Sequence, residues 1–366
     1  MRALAERKLA TIRRVSSVDD IPGKDFIGLA HVDGWQVIVR KQDIKADDLV
    51  VFCEIDSLLP EAEWTNFLKD KRIRTMKMAG VLSQGICFPL SILPLGVEVV
   101  EGDDVTELLG VTKWERPDAT DLGNYQAKKP TKKFPKWLMR YKWFRQLVYK
   151  FVDHRSGKAF PDFLSKTDET RIQNAPWYLD SDAEWVLTEK VDGQSGSFAV
   201  KKTHKWFGRK YESFVCSRNL RLFGDDGSSY WKVWKKYGLE KKLIEICECM
   251  GGCEWVAIQG EIIGPKIQGN KYHRTEPELY VFNLITDRDG RFGSYVGREL
   301  LSTYDLNWVP IIGTSPLPKT VEEMLEMAHG TSWLADILRE GLVCRSVDGK
   351  QSFKAVDPEF LIKYGE

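Results

Sequence analysis

The feature that most constrains this chain is the recurrence of short β-prone runs on both sides of one basic, proline-interrupted segment. Residues 1 to about 110 contain GWQVIV (Gly34 to Val39) and LVVFCEI (Leu49 to Ile55), divided by turn-prone stretches such as IPGKDF and KADDL. About five such strands in this stretch predict a small β-barrel. Beyond about residue 160 the pattern changes. Glu184 to Thr188 (EWVLT), Ser197 to Lys201 (SFAVK), Val256 to Ile263 and Leu279 to Ile285 read as strands. Helices are expected from Ser228 to Cys249 and from Thr320 to Arg339, the second opening with Thr320 and Glu323 at capping-box spacing. The strands run in antiparallel-like succession without βαβ alternation. The fold class is therefore α+β: an N-terminal small barrel followed by mixed, mainly antiparallel sheets with helices. A length of 366 residues suits two domains, divided as 1–110, a basic connector 111–160, and 161–366.

A net charge of only +1, from 54 basic and 53 acidic residues, hides a local excess. From Ala127 to Lys158 a dense run of lysines and arginines is opposed only by Asp153. Its start, KKPTKKFPKW, reads as linker, and WLMRYKWFRQLVYKF interleaves aromatics with cations as a basic amphipathic helix does. Such a helix grips a nucleic acid by stacking and phosphate pairing; the same pattern also fits a solvated helix packed on a neighbour, or a helix lying on a membrane surface. A second basic stretch, Lys69 to Lys77 (KDKRIRTMK), falls in a connection of the N-terminal strands where an oligonucleotide-binding (OB) barrel carries its ligand loops. No run of about 18 apolar residues and no targeting segment is visible, so a soluble intracellular monomer, cytoplasmic or nuclear, is expected, with no membrane partner. The 7 cysteines, odd in number and scattered, favour a reducing compartment over a disulfide framework. Cys247, Cys249 and Cys253 in CECMGGC lack metal-ligand spacing and read as ordinary helix-end cysteines.

The chemistry starts at TEKVDGQS, Thr188 to Ser195, where a strand ends at Lys190 and Gly193 permits a turn that leaves the amine facing a cleft. Other parts follow in order: CSRNL, IQGEIIGPKIQGNKY, YVFNLI, EGLVCRS and SFKAVD. Together they resemble the motifs of the covalent nucleotidyltransferases, the superfamily of ATP-dependent ligases and capping enzymes. Within it the chain looks like the ATP-dependent RNA ligases that carry an N-terminal OB-type domain. The resemblance implies that Lys190 carries a covalent AMP, with Glu189 beside it among the nucleotide contacts. It implies further that Arg218 lies near ribose and phosphate, that Glu261 takes the ribose hydroxyls, that Phe282 stacks on adenine, that Glu340 is the metal-associated carboxylate and that Lys354 meets the α-phosphate. KTDETRIQN resembles the segment such ligases keep before the lysine, which makes Arg171 and Gln173 ligand contacts. One departure stands out: the last motif often carries two lysines in K-x-K spacing, and here Ser352 fills the first position.

The residues themselves make chemical sense in these roles. An unperturbed lysine, pKa about 10.4, is neutral in only about one molecule in 2,500 at pH 7, a handicap of about 4.6 kcal/mol for a nucleophile. A second cation such as Lys354 and a bound Mg²⁺ or Mn²⁺ would lower that pKa; Glu340 without a metal would raise it. Glu261 and Glu340 supply two acceptors with separate tasks. Arg218 and Lys354 balance charge on a transferred phosphoryl group. Tyr280 and Phe282 share one strand face by period two, so one stacks and the other packs in the core. The expected function is an ATP- and Mg²⁺- or Mn²⁺-dependent RNA ligase that joins 3′-hydroxyl and 5′-phosphate ends, within a duplex at nicks. A DNA ligase, a GTP-dependent capping enzyme and a silent nucleic-acid-binding protein are the alternatives.

Overall fold

The computed structural model describes residues 8–114, 158–203, 210–225 and 227–365. Of the basic segment read between residues 127 and 158, only Lys158 lies among them, so the helix expected at WLMRYKWFRQLVYKF falls outside the described residues.

In the N-terminal part, alternation puts Trp35, Val37 and Val39 of the strand Trp35–Arg40 inward. That strand pairs with Lys24–Val32, which pairs with Ser17–Ile21. A second antiparallel sheet runs Ala10–Arg14, Leu49–Cys53, Ile86–Pro89. Both sheets cover one apolar core in which Trp35 meets Phe52 with ring centroids 5.7 Å apart. The expected barrel is not closed among the described residues: the strands fall into separate sheets, with short pairs such as Thr75–Met78 with Val81–Gln84 beside them. The Lys69 to Lys77 stretch is largely committed to the protein itself. Lys71 Nζ bonds the carbonyls of Thr65 and Leu68, Arg74 pairs with Asp70, and Arg72 is 7% exposed.

The C-terminal part holds two antiparallel sheets. The larger has the spatial order Lys158–Ala159, Leu220–Leu222, Tyr211–Cys216, Gln194–Lys202, Trp255–Ile263, Glu278–Thr286, Gly290–Arg291. The smaller runs Ile311–Pro316, Glu184–Glu189, Gly341–Ser346, Ser352–Val356. The expected helix from Ser228 to Cys249 is two helices, Ser229–Lys236 and Leu239–Cys249, because Gly238 turns left-handed at φ 59° between them. Leu239, Leu243, Ile246 and Cys247 recur at helical spacing and face the large sheet's core. The other expected helix covers only Val321–Ala328. Its capping box from Thr320 and Glu323 forms as read, but Arg339 folds back so that Nε and Nη2 cap the carbonyls of Ala328, Met327 and His329. The cysteine reading also needs correction. Gly251 and Gly252, at φ 77° and 75°, bring Cys253 back to Cys247 with 5.3 Å between Cα atoms, and the two form a disulfide. Cys53, Cys87, Cys216, Cys249 and Cys344 are free.

The helix Pro358–Tyr364 ties the halves together. Asp357 caps its N-terminus, and Phe360 and Leu361 belong to the core beneath the N-terminal sheets. On the other side of the junction, Trp35 Nε1 donates to Asn174 Oδ1 at 2.7 Å, and Asn174 Nδ2 donates to Glu54 at 2.7 Å.

Candidate functional site

The two C-terminal sheets face each other across a cleft of about 490 Å³. On the small sheet, Trp185, Leu187, Leu342, Cys344, Phe353 and Ala355 point into a core under the helix Val321–Ala328. By the same alternation Thr188, Val343, Arg345 and Lys354 point into the cleft. The large sheet contributes Glu261 and Phe282 from the opposite wall.

Lys190 sits where one sheet passes to the other. The strand Glu184–Glu189 ends before it, its N–H donates to the Gly341 carbonyl at 2.9 Å, and Gln194 begins the central strand of the large sheet. Gly193 is required by close approach: a Cβ there would stand 2.4 Å from the Ile262 carbonyl oxygen and 3.0 Å from Glu261 Cγ. The turn is also anchored through Asp192, whose N–H donates to the Tyr272 hydroxyl at 2.9 Å and whose carboxylate pairs with Lys271. Lys271 in turn lies 5.0 Å from the Phe360 ring and 4.7 Å from the Tyr364 ring. A buried ion pair thus ties the lysine loop to the C-terminal helix.

Lys190 Nζ is 2.5 Å from Glu340 Oε1. Burial draws the lysine's pKa down, but Glu340, and after it Glu261 and Asp192, outweigh this and hold it above its ordinary value. The direction agrees with the expectation for Glu340 without a metal. Lys354, the cation expected to lower the lysine's pKa, has its ammonium 2.9 Å from Asp168 Oδ1. Burial pushes Glu261 up to about 8, and Glu340 and Asp192 add to that while Lys190 and Arg218 oppose it. Glu340 Oε2 is buried with no hydrogen-bond partner among the described residues. An orphaned carboxylate oxygen at the cleft fits a hard divalent cation. No cluster of three ligating side chains forms among the described residues, which suits an ion that keeps waters and binds substrate phosphate.

Asp168 joins two of the expected phosphate ligands, with Oδ2 2.6 Å from Arg218 Nη2 and Oδ1 on Lys354. Burial opposes its ionisation, but Lys354 and Arg218 prevail and hold it well below the usual carboxylate range. The segment carrying Asp168 is held at the sheet edge by the Lys354 N–H, which donates to the Thr170 carbonyl at 2.8 Å. Arg171 also faces the cleft, 3.4 Å from Asp56 of the N-terminal part. Asp56 lies 3.6 Å from Arg72, whose guanidinium covers the Trp114 ring at 3.3 Å. Arg72, Lys113 and Trp114 thus line the cleft from the N-terminal half.

The remaining expected residues divide. Phe282 lines the cleft, whereas the Tyr280 hydroxyl is engaged by Glu278 and Arg274 away from it. Glu189 is on the cleft's border, but its carboxylate accepts from the Ser332 hydroxyl and, at 2.9 Å, from the Trp333 N–H. Burial raises its pKa against those bonds. Gln173 is fully buried outside the cleft lining; its side-chain Nε2 donates to Gln84 Oε1 at 3.3 Å and its backbone carbonyl accepts the Gly34 N–H. A Cβ on Gly34 would lie 2.8 Å from Gln173 Cα, so this residue sits at the seam between the halves. Ser352 Oγ donates to Glu169 at 2.6 Å. Asp168 and Arg345 stand inside the motifs KTDETRIQN and EGLVCRS and were legible there as charged residues; Lys113 and Trp114 carried no such signal.

An OB-fold domain model matches residues 9–90, and an RNA ligase model matches residues 183–364. Among solved structures, a variant of Naegleria gruberi RNA ligase with ATP and Mn is similar at 29% identity, with 98% of this chain and 100% of that chain covered and a TM-score of 0.80. The same enzyme with pyrophosphate is similar at 30% identity, with 98% and 99% covered and a TM-score of 0.79. A further variant with AMP and Mn gives 30% identity, 98% and 99%, and a TM-score of 0.77. No curated protein matches.

Proposed function

The chain belongs to the RNA ligase family, and from that premise we propose how its cleft performs ATP-dependent RNA joining. Lys190 Nζ attacks the α-phosphorus of ATP, the bond to the β-phosphate oxygen breaks, and pyrophosphate leaves. The AMP then passes to an RNA 5′-phosphate, and a 3′-hydroxyl displaces it to form the phosphodiester. The observation that carries this reading is Lys190 at the junction of two sheets, its amine on Glu340, in a cleft lined by Phe282, Lys354 and Arg218.

Before attack the ammonium must lose a proton that Glu340 now holds in place. Glu340 would hold Mg²⁺ or Mn²⁺, which would supply positive charge against the triphosphate, and a Glu340 carboxylate engaged there would no longer favour the charged lysine. Lys354 and Arg218, preorganised by Asp168, neutralise charge on the α-phosphate. Phe282 offers its face to adenine. Glu261 accepts from the ribose hydroxyls, with Glu189 holding the lysine loop against the Ser332 and Trp333 segment. Arg171, Arg72 and Lys113 face the leaving phosphates. Gln173 acts through the seam between the halves.

The proposed division of labour assigns RNA grip to residues 1–110 together with the basic connector 111–160, and nucleotide chemistry to 161–366 with those N-terminal cations. The favoured substrate is a nick in a duplex, sealed by a monomer. No helix among the described residues is long and apolar enough to cross a membrane. Joining assays with ATP and Mn²⁺ on matched nicked and single-stranded RNAs test the substrate; faster joining of single strands would overturn the nick assignment.

Two variants probe the site's construction. Gly193→Ala should lower adenylate formation by at least about tenfold, because the new methyl meets backbone and the lysine loop must shift by a distance that near-attack geometry does not tolerate. An unchanged rate of AMP capture would show that the close approach is unimportant. Glu261→Gln separates stability from function. With its folded pKa raised to about 8 and an ordinary value of 4.5, Glu261 costs stability increasingly as pH climbs between those values. The amide should stabilise the nucleotide-free protein at pH 8 by about 1 kcal/mol, after discounting solvent screening of a half-buried group. The same change should weaken ATP binding. A melting curve and an ATP titration check both signs.

A further inference from the structure

Arg345 is 3% exposed and lines the cleft two residues along its strand from Val343. Its Nη1 donates to the Phe282 carbonyl, and its Nη2 lies 3.6 Å from Glu169 Oε1. Glu169 also stands 3.5 Å from Arg291 Nη1 and accepts from Ser352 Oγ at 2.6 Å. Two arginines share one carboxylate, so the cluster keeps a net positive charge. Burial lowers the Arg345 pKa to about 10, Arg291 adding to this and Glu169 opposing it, so the group stays protonated at neutral pH.

One donor of this guanidinium is unused. Arg345 Nε is buried and has no hydrogen-bond acceptor among the described residues. A buried unpaired donor costs about 1–3 kcal/mol, more on a charged group, and such a cost at the wall of a cleft points to an acceptor that arrives with a ligand. The position narrows that ligand's part. Phe282 is the neighbour, with its ring centroid 5.9 Å from the guanidinium carbon, and Lys354 and Arg218 are gathered separately on Asp168. Ser352 explains how the arginine fits. It is the direct cross-strand partner of Arg345, so both side chains share a sheet face. A lysine at 352 would set a second cation against the guanidinium and compete for Glu169.

We infer that Arg345 is a nucleotide-binding residue: Nε donates to an acceptor at the purine end of the bound nucleotide, while the Nη1 bond to the Phe282 carbonyl sets that ring against the base. The assignment rests on the reading of the cleft as the ATP site.

The test uses full-length Arg345→Lys and Arg345→Met, titrated with AMP, ATP and pyrophosphate, with melting curves alongside. Lysine keeps the charge and the reach to Glu169 but has no Nε. Both variants should bind AMP and ATP about 10- to 100-fold more weakly, the range for a lost charged hydrogen bond, and bind pyrophosphate as before. Arg345→Lys binding AMP like the unaltered protein would overturn the assignment, because the residue would then be a charged brace only. So would equal weakening of all three ligands together with a lowered melting temperature. Failure of the unaltered protein to bind AMP or ATP would instead defeat the underlying reading of the cleft, and this assignment with it.

Discussion

Lys190→Ala should capture no AMP from ATP at any pH, yet still join an RNA whose 5′ end already carries AMP. The first reaction needs the lysine as nucleophile, and among the described residues no other amine in the cleft pairs with Glu340. The last reaction has a 3′-hydroxyl as nucleophile and needs only the AMP site and the metal. Splitting the activity this way separates loss of chemistry from loss of fold. Removing the ammonium leaves Glu340 buried without its counter-charge, so a stability loss of about 1 kcal/mol is expected, held down because the lysine side chain is 24% exposed. The unaltered protein carries a pH signature of the same arrangement. Its lysine pKa is raised, so the ion pair stabilises at neutral pH and is lost as pH climbs past the elevated value. Adenylate formation should therefore rise with pH through the alkaline range. Rates of AMP capture measured across pH, and sealing of pre-adenylylated RNA by Lys190→Ala, check both statements.

Removing residues 1–157 should abolish adenylate formation as well as RNA joining. Every nucleotide motif lies after residue 160, which by itself would make the C-terminal part sufficient for AMP capture. The structure argues otherwise on two counts. Phe360 and Leu361, buried under the N-terminal sheets together with Val356, would be bared to water. Val356 ends the strand that carries Lys354. Arg72, Lys113 and Trp114 would also leave the cleft, and Arg171 would lose Asp56. Phe360→Ala in the full chain isolates the first cause and should cost about 3–5 kcal/mol, the range for a fully buried phenylalanine. Arg72→Met isolates the second and should slow adenylate formation with a smaller change in melting temperature. A truncated protein that melts cooperatively and captures AMP at the full-length rate would refute both.

The parts of this architecture that periodicity encodes were readable directly. Val37, Val39, Leu187 and Ile258 sit in strands whose apolar alternation or continuity announces them, and the motif order placed Lys190, Glu261, Phe282 and Glu340 around one cleft. Helix ends were harder, because local propensity does not show that Gly238 takes a left-handed turn or that Arg339 folds back eleven residues to cap Ala328. The Cys247–Cys253 bond depends on the same kind of non-repeating backbone at Gly251 and Gly252. Gln173 looked like a ligand contact and lies instead at the seam, since only the docked N-terminal half supplies Gln84 and Gly34 to meet it. The part Asp168 plays was hidden for a related reason, although its charge was legible within KTDETRIQN: it pairs with Arg218 and Lys354, 50 and 186 residues away, and Asp56 likewise meets Arg171 across 115 residues, which no local pattern records.

The central claim, that Lys190 is the residue through which ATP enters the joining reaction, is tested most directly by the intact mass of the purified full-length protein after incubation with ATP and Mn²⁺. The account predicts a gain of one AMP, mapped to the peptide containing Lys190, reversed by added pyrophosphate and absent from Lys190→Ala. A protein that joins RNA while its mass never changes, or an AMP found on any other residue, would contradict it.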